Sequence, residues 1–479
     1  EARRPRGEVF APGPVLGCDF LGALAAARTC GRDPRELLVW REPEAGVYGV
    51  RFFKDGEWMY EITDDRLPVA SNGEPACGFS VAGGEVQDWA ALLEKAYAKV
   101  HGSYEAAAAG TDTEALEDVL GFAAQASAPD AFAVWGELWQ SLRGKRKRGL
   151  VLLASRRGRE RTGEVLTSGL LSGFVYPVTR LELIDGEMLC ELQNPWPTGR
   201  WTGRWSDRSR ELMNRRGCRQ LEPGPGASNP FWMSIQDFCQ HFTDIAEARV
   251  LPASWQASAV TCSSERPSYP LLSAPTSMQA VFELSQADRR WGPQAAYRVA
   301  IGLRIYRCRV VAPAPHVVGA RQNVSSPFKN LELIAERAPT KARSVVVEIS
   351  KLEPDCLYIA AVDAEPCELP FAVLRVLTAA TPRFRELSAP ETSYFLHSQA
   401  TAAPVVDRDS FSSQGSVEMG SGLIGSPLQE AEALRAVGSP IPLDMGGWQE
   451  WSEESSDHLL LAVPNFLKAC MTACTTGKC

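Results

Sequence analysis

The chain has 479 residues, of which 23% are charged and 45% hydrophobic, with a formal net charge of −8. That length exceeds what one hydrophobic core supports and predicts two to four domains. The mild acidity argues against nucleic acid as a partner, and no apolar run reaches the ~18 residues of a transmembrane span.

The chain opens on Glu1 without a signal-peptide pattern, as expected of a fragment or trimmed product. After Pro12-Gly13-Pro14, the run from Cys18 to Ala26 reads as a buried helix whose N-terminus would favour a thiolate. Alternating segments Tyr48–Phe53 and Glu57–Ile62 read as a hairpin around Lys54-Asp55-Gly56. Apolar spacing predicts helices over Asp88–Tyr104 and Asp130–Leu142. The basic run from Arg143 to Arg161 reads as a solvated loop or strand edge.

Val178–Ile184 and Met188–Leu192 flank the turn Asp185-Gly186, the Trp- and Gly-rich Asn194–Asp207 segment reads as a shaped loop, and Phe231–Thr243 as a helix. Ser-, Pro- and Thr-rich sequence over Ser254–Ser277 reads as a linker. Short β-type runs follow at Gln279–Ser285, Ala296–Val310, Ser344–Ile349, Tyr358–Val362 and Phe371–Thr378, which predicts an antiparallel sandwich. From Arg383 the sequence is rich in Ser, Ala, Gly and Pro and predicts a largely disordered tail.

Thirteen cysteines form an odd set without paired zinc spacing before the tail, which predicts a reducing, cytoplasmic setting. A short apolar stretch at Leu459–Leu467, with Cys470 and Cys474 beyond it, leaves room for weak membrane association through the tail.

Several ordered motifs resemble the calpain protease core. They are Cys18-Asp-Phe-Leu-Gly-Ala-Leu24, Gly56-Glu-Trp58, Asp64-Asp-Arg-Leu-Pro68, Leu92-Leu-Glu-Lys-Ala-Tyr-Ala-Lys99, Gly102-Ser-Tyr-Glu105, Asn194-Pro-Trp196, Trp201-Thr-Gly-Arg-Trp-Ser-Asp207 and Phe231-Trp-Met-Ser234. Phe282-Glu-Leu-Ser-Gln-Ala-Asp-Arg-Arg290 and Ala300-Ile-Gly302 resemble the calpain-type sandwich domain. The resemblance implies an α+β papain-like core of two subdomains, at 8–126 and 127–253, then an all-β antiparallel sandwich at 268–380 and a low-complexity tail at 381–479.

It also implies a calcium-dependent cysteine endopeptidase with Cys18 as nucleophile, Asn194 as the residue that orients the base, and Trp196 as its shield in the substrate cleft. The family's Gly-His-Ala-Tyr-Ser-Val run reads Gly173-Phe-Val-Tyr-Pro-Val178, so the base position holds Phe174. The oxyanion glutamine is replaced by Pro12, and the tryptophan after the nucleophile by Asp19, whose charge would disfavour a thiolate. One oxyanion donor is worth ~3 kcal/mol of barrier.

Calcium ligands expected from the resemblance are replaced at Gln87, Arg200, Ser228 and Pro230, leaving Asp207 as a lone remnant. No cofactor and no metal site is expected. These substitutions predict an inactive homologue that binds protein partners or substrates. The alternative is an active intracellular calpain-like protease performing limited proteolysis with altered machinery. His101 and His241 match no base position and read as surface or structural residues.

Overall fold

A computed structural model describes residues 8–13, 18–71, 75–82, 85–157, 162–215, 219–222, 229–262, 269–288, 299–309, 329–364 and 371–399. The core and the sandwich below belong to one unit; of a second unit, only Val69–Ser71 is among the described residues.

The first half of the core is helical around small sheets. Cys18–Thr29 forms a helix, buried along most of its length because Ala23, Ala25, Ala26 and Ala27 let neighbouring chains approach closely. Gly22 is required there, since a Cβ would run into the Val175 side chain. The helix packs beside Asp112–Leu120, which a reciprocal capping box at Thr111 and Glu114 starts and the left-handed Gly121 ends. Trp89–Val100 forms the amphipathic helix expected there, and Val47–Lys54 pairs with Glu57–Asp64 as a hairpin. Its turn residues Asp55 and Gly56 take φ of 53° and 88°, the left-handed pair that matches strand twist.

The second half is a six-stranded antiparallel sheet in the order Pro230–Ser234, Glu187–Gln193, Val175–Ile184, Leu150–Ser155, Asp244–Arg249, Ala124–Ser127. Residues 124–126, expected with the first half, thus pair within the second through Asp244–Arg249. The helix expected over Phe231–Thr243 divides into a strand, Pro230–Ser234, and a helix, Ile235–His241. Phe231, Trp232 and Met233 are buried in succession, and such a short apolar run has no period that separates strand from helix. The helix expected at Asp130–Leu142 instead covers Trp135–Lys147. It takes in part of the basic run: Lys145 pairs with Glu247, and Arg146 donates to the Leu150 carbonyl at 2.7 Å.

The sandwich has a four-stranded and a five-stranded sheet closing on one apolar core that includes Phe282, Leu303, Val347, Tyr358 and Leu374. It is larger than expected. Gln256–Cys262 pairs with Ala372–Thr378, and Pro270–Ser273 with Cys356–Ala364, so the linker expected over Ser254–Ser277 contains two strands of the sandwich. Lys329–Thr340 is an additional edge strand. The tail expectation also moves: Arg383–Glu386 pairs with Pro270–Ser273, and a helix covers Ala389–Gln399 with Phe395 buried against Tyr306. The remaining tail expectations, at 400–479, lie outside the described residues, as does Ser228.

Candidate active site

Cys18 is the first residue of its helix and is buried. Among the described residues its thiol has one hydrogen-bond partner, the Gly173 carbonyl at 2.9 Å. Gly173 takes φ of 71°, and a side chain there would crowd Thr162, so the backbone rather than a side chain meets the sulfur. The Gly173 amide is bound in turn to the Arg156 carbonyl at 3.0 Å.

Phe174 turns its ring into the core. It stands edge-on to Trp196 with centroids 4.8 Å apart and planes at 82°. The Trp196 indole is buried and donates to the Val175 carbonyl at 2.9 Å, which fixes the ring against the strand that faces the Cys18 helix.

Asn194 lies next in this chain of contacts, with its amide already engaged. Its Nδ2 donates to the Gly199 carbonyl at 2.6 Å and the Thr198 carbonyl at 3.2 Å, and its Oδ1 accepts from the Trp196 amide at 3.2 Å. The amide therefore shapes the Asn-Pro-Trp loop. Pro12 follows the strand Val9–Ala11, and 14–17 lie outside the described residues. As a proline it has neither a side-chain amide nor a backbone N–H to offer an oxyanion.

Charge around the sulfur is unfavourable to a thiolate. Burial raises the Cys18 pKa well above its ordinary value, and Asp19 adds to the rise. Asp19 is itself pushed up to about 7, mainly by burial and then by Asp112, while Arg157 opposes. Arg157 Nη2 lies 3.4 Å from Asp112 Oδ1 and 4.0 Å from Asp19 Oδ2, and Ser155 Oγ donates to Asp112 at 3.0 Å. Asp112 and Arg157 were not singled out from sequence, since Arg157 was hidden in the basic run.

The histidines sit elsewhere. His101 is buried between Asp118 (Nε2–Oδ2, 3.3 Å) and Asp288 (Nδ1–Oδ2, 3.2 Å), with Lys54 Nζ 3.3 Å from Nδ1. His241 is partly buried against the Trp201 ring, 5.1 Å between centroids, and burial lowers its pKa. Asp207 is in an exposed pair with Arg200 at 3.9 Å.

These contacts bring Cys18, Gly173, Phe174, Trp196 and Asn194 together at the junction of a helix-rich half and a sheet half. Residues 12–249 match the calpain family of cysteine proteases. This segment is a calpain family cysteine protease domain. The chain is 35% identical over 253 residues to the calpain-type cysteine protease ADL1 of Oryza sativa subsp. japonica, covering 51% of this chain and 12% of that protein. It is 32% identical over 260 residues to the calpain-2 catalytic subunit of Gallus gallus, covering 50% and 35%. Calpain-A of Drosophila melanogaster is 35% identical over 227 residues, covering 45% and 27%. The matched part is thus about a third or less of each of these relatives' length. No described helix is long and apolar enough to cross a membrane.

Proposed function

We propose that this chain is a catalytically silent calpain-type homologue whose cleft and sandwich bind protein partners. The observation that carries the reading is the Cys18 thiol on the Gly173 carbonyl, with Phe174 as the next residue. A carbonyl accepts a hydrogen bond but cannot take the proton away and return it to a leaving amine, as a base must. Burial and Asp19 both hold the sulfur protonated. With Pro12 at the oxyanion position, the residual rate that an intact oxyanion hole sustains after triad loss is also undercut. Trp196 and Asn194 then serve the shape of the cleft.

Calcium does not fit the residues that resemble its ligands. The ion takes about six to eight oxygen ligands. Asp207 faces the Arg200 guanidinium, Gln87 is neutral, and Pro230 has no side-chain oxygen. No step of the reading passes through the ion.

The test is casein hydrolysis by the full chain beside Cys18→Ala, with and without calcium. The reading expects identical background from both proteins in both conditions. Cleavage by the unmodified chain that Cys18→Ala abolishes would instead establish the active alternative, limited proteolysis with altered machinery.

A further inference from the structure

The passage between the two halves of the protease domain is three residues long, Gly121-Phe122-Ala123, from the Asp112–Leu120 helix to the Ala124–Ser127 strand. Such a passage is where the halves could pivot about the cleft. In this chain the sandwich holds both ends. Arg375 Nη1 donates to the Gly121 carbonyl at 3.1 Å, and the Ala123 amide donates to Glu283 Oε1 at 3.2 Å. Arg375 and Glu283 also pair with each other, Nη1 to Oε2 at 3.0 Å, on neighbouring strands. Phe122, the middle residue of the passage, packs against the cluster of Leu251, Val281 and Leu377. Both charged side chains are buried, so the pair is shielded from solvent screening.

A third sandwich strand, Ser344–Leu352, and Arg343 just before it touch both halves in turn. Arg343 Nη1 lies 2.6 Å from Asp118 Oδ1, and Ser344 Oγ donates to Glu117 Oε1 at 2.9 Å, both on the first half's helix. A few residues on, Glu348 accepts from Arg249 Nε at 3.0 Å, and the Val346 carbonyl from Gln125 Nε2 at 3.5 Å, both on the second half's sheet.

We propose that the sandwich is a constitutive brace that locks the pivot of the protease domain and sets the width of its cleft. The Arg375–Glu283 pair immobilises the connection, and the Arg343–Glu348 stretch fixes the angle between the halves. Each half is bound by ionic groups that cannot leave singly without stranding a buried charge. A stranded charge makes release all-or-none, so the cleft geometry is a property of the assembled chain and needs no effector. This holds whether or not Cys18 reacts.

Hydrogen–deuterium exchange on the full chain tests the brace. In Glu283→Gln/Arg375→Met, no lone charge is left, and the brace predicts at least about tenfold faster exchange in 121–127 and in the Cys18–Thr29 helix. Exchange in the sandwich strands should stay unchanged. If the double variant fails to fold, Glu348→Gln, which frees the Arg249 side chain from the sandwich, should speed 124–127 and 244–249. Unchanged exchange at these segments overturns the proposal. So does faster exchange spread evenly through core and sandwich, which would mean ordinary destabilisation.

Discussion

At Cys18 the chain presents a thiol, a backbone carbonyl and two packed rings, whereas the seam between core and sandwich gathers Lys54, His101, Glu117, Asp118, Asp288 and Arg343, all buried. Both regions are interior, yet they solve burial in opposite ways. Beside the sulfur, Phe174 and Trp196 fill with packed rings the side where a base would stand, and the charges near it, Asp19, Asp112 and Arg157, are grouped with one another. At the seam each charge meets a complement within hydrogen-bond distance or slightly beyond, as Asp118 does with Arg343 and His101. The contrast teaches that two buried regions of one fold can be held by different means, packed rings in one and paired charges in the other. The buried histidine, His101, and the carboxylates Glu117, Asp118 and Asp288 stand together at the seam.

The strongest way to break this comparison is at the seam. Arg343→Met leaves Glu117 and Asp118 buried against a neutral chain, and the expected loss is ~3–5 kcal/mol in denaturant unfolding. A loss within ~0.5 kcal/mol would mean the seam charges are not held in the buried network drawn here.

Glu94 sharpens the comparison, because it is buried without an ionic complement among the described residues. Its Oε2 accepts from the Gly78 amide at 2.9 Å, while Oε1 meets no hydrogen-bond partner among the described residues. Burial pushes its pKa from 4.5 up to about 8. Between these values the unfolded chain releases a proton that the folded chain keeps, so stability falls as pH rises through the window. The Glu94 contribution to the slope approaches about 1.4 kcal/mol per pH unit. Glu94→Gln should remove this part of the decline, leaving the variant more stable than the parent at pH 8 and close to it at pH 4. Parallel stability–pH curves would contradict the assignment.

The smallest expected effect lies in the cleft. Phe174→His places an imidazole beside Trp196 while the Asn194 amide remains occupied by its own loop. Burying an unpartnered polar ring costs ~1–3 kcal/mol, so a lowered melting temperature without peptidase activity is expected. Activity in this single variant would show that Asn194 can be recruited and that Pro12 and Asp19 matter little.

Legibility in the sequence followed local chemistry. The hairpins at Asp55-Gly56 and Asp185-Gly186 were readable because their residues accept left-handed backbone, as the φ values of 53° and 50° at the aspartates bear out. Gln256–Cys262 was unreadable as strand: its Ser, Ala and Thr residues are mostly exposed, and only pairing with Ala372–Thr378 makes it one. Lys329–Thr340 escaped for a related reason, being an edge strand rich in charge and ending near Pro339. Cys18, Phe174, Asn194 and Trp196 could be picked out by motif. Their connection through the Gly173 carbonyl, and the Asp112–Arg157 pair beside Asp19, depend on contacts that no spacing encodes.

The most direct measurement is the pH dependence of alkylation at Cys18, followed residue by residue in the intact chain. A sulfur without a proton acceptor should react slowly at pH 6–7 and accelerate continuously beyond pH 9, with no plateau in the neutral range. Rapid labelling at pH 6–7 on a flat plateau, the mark of a thiolate–imidazolium pair, would contradict the account.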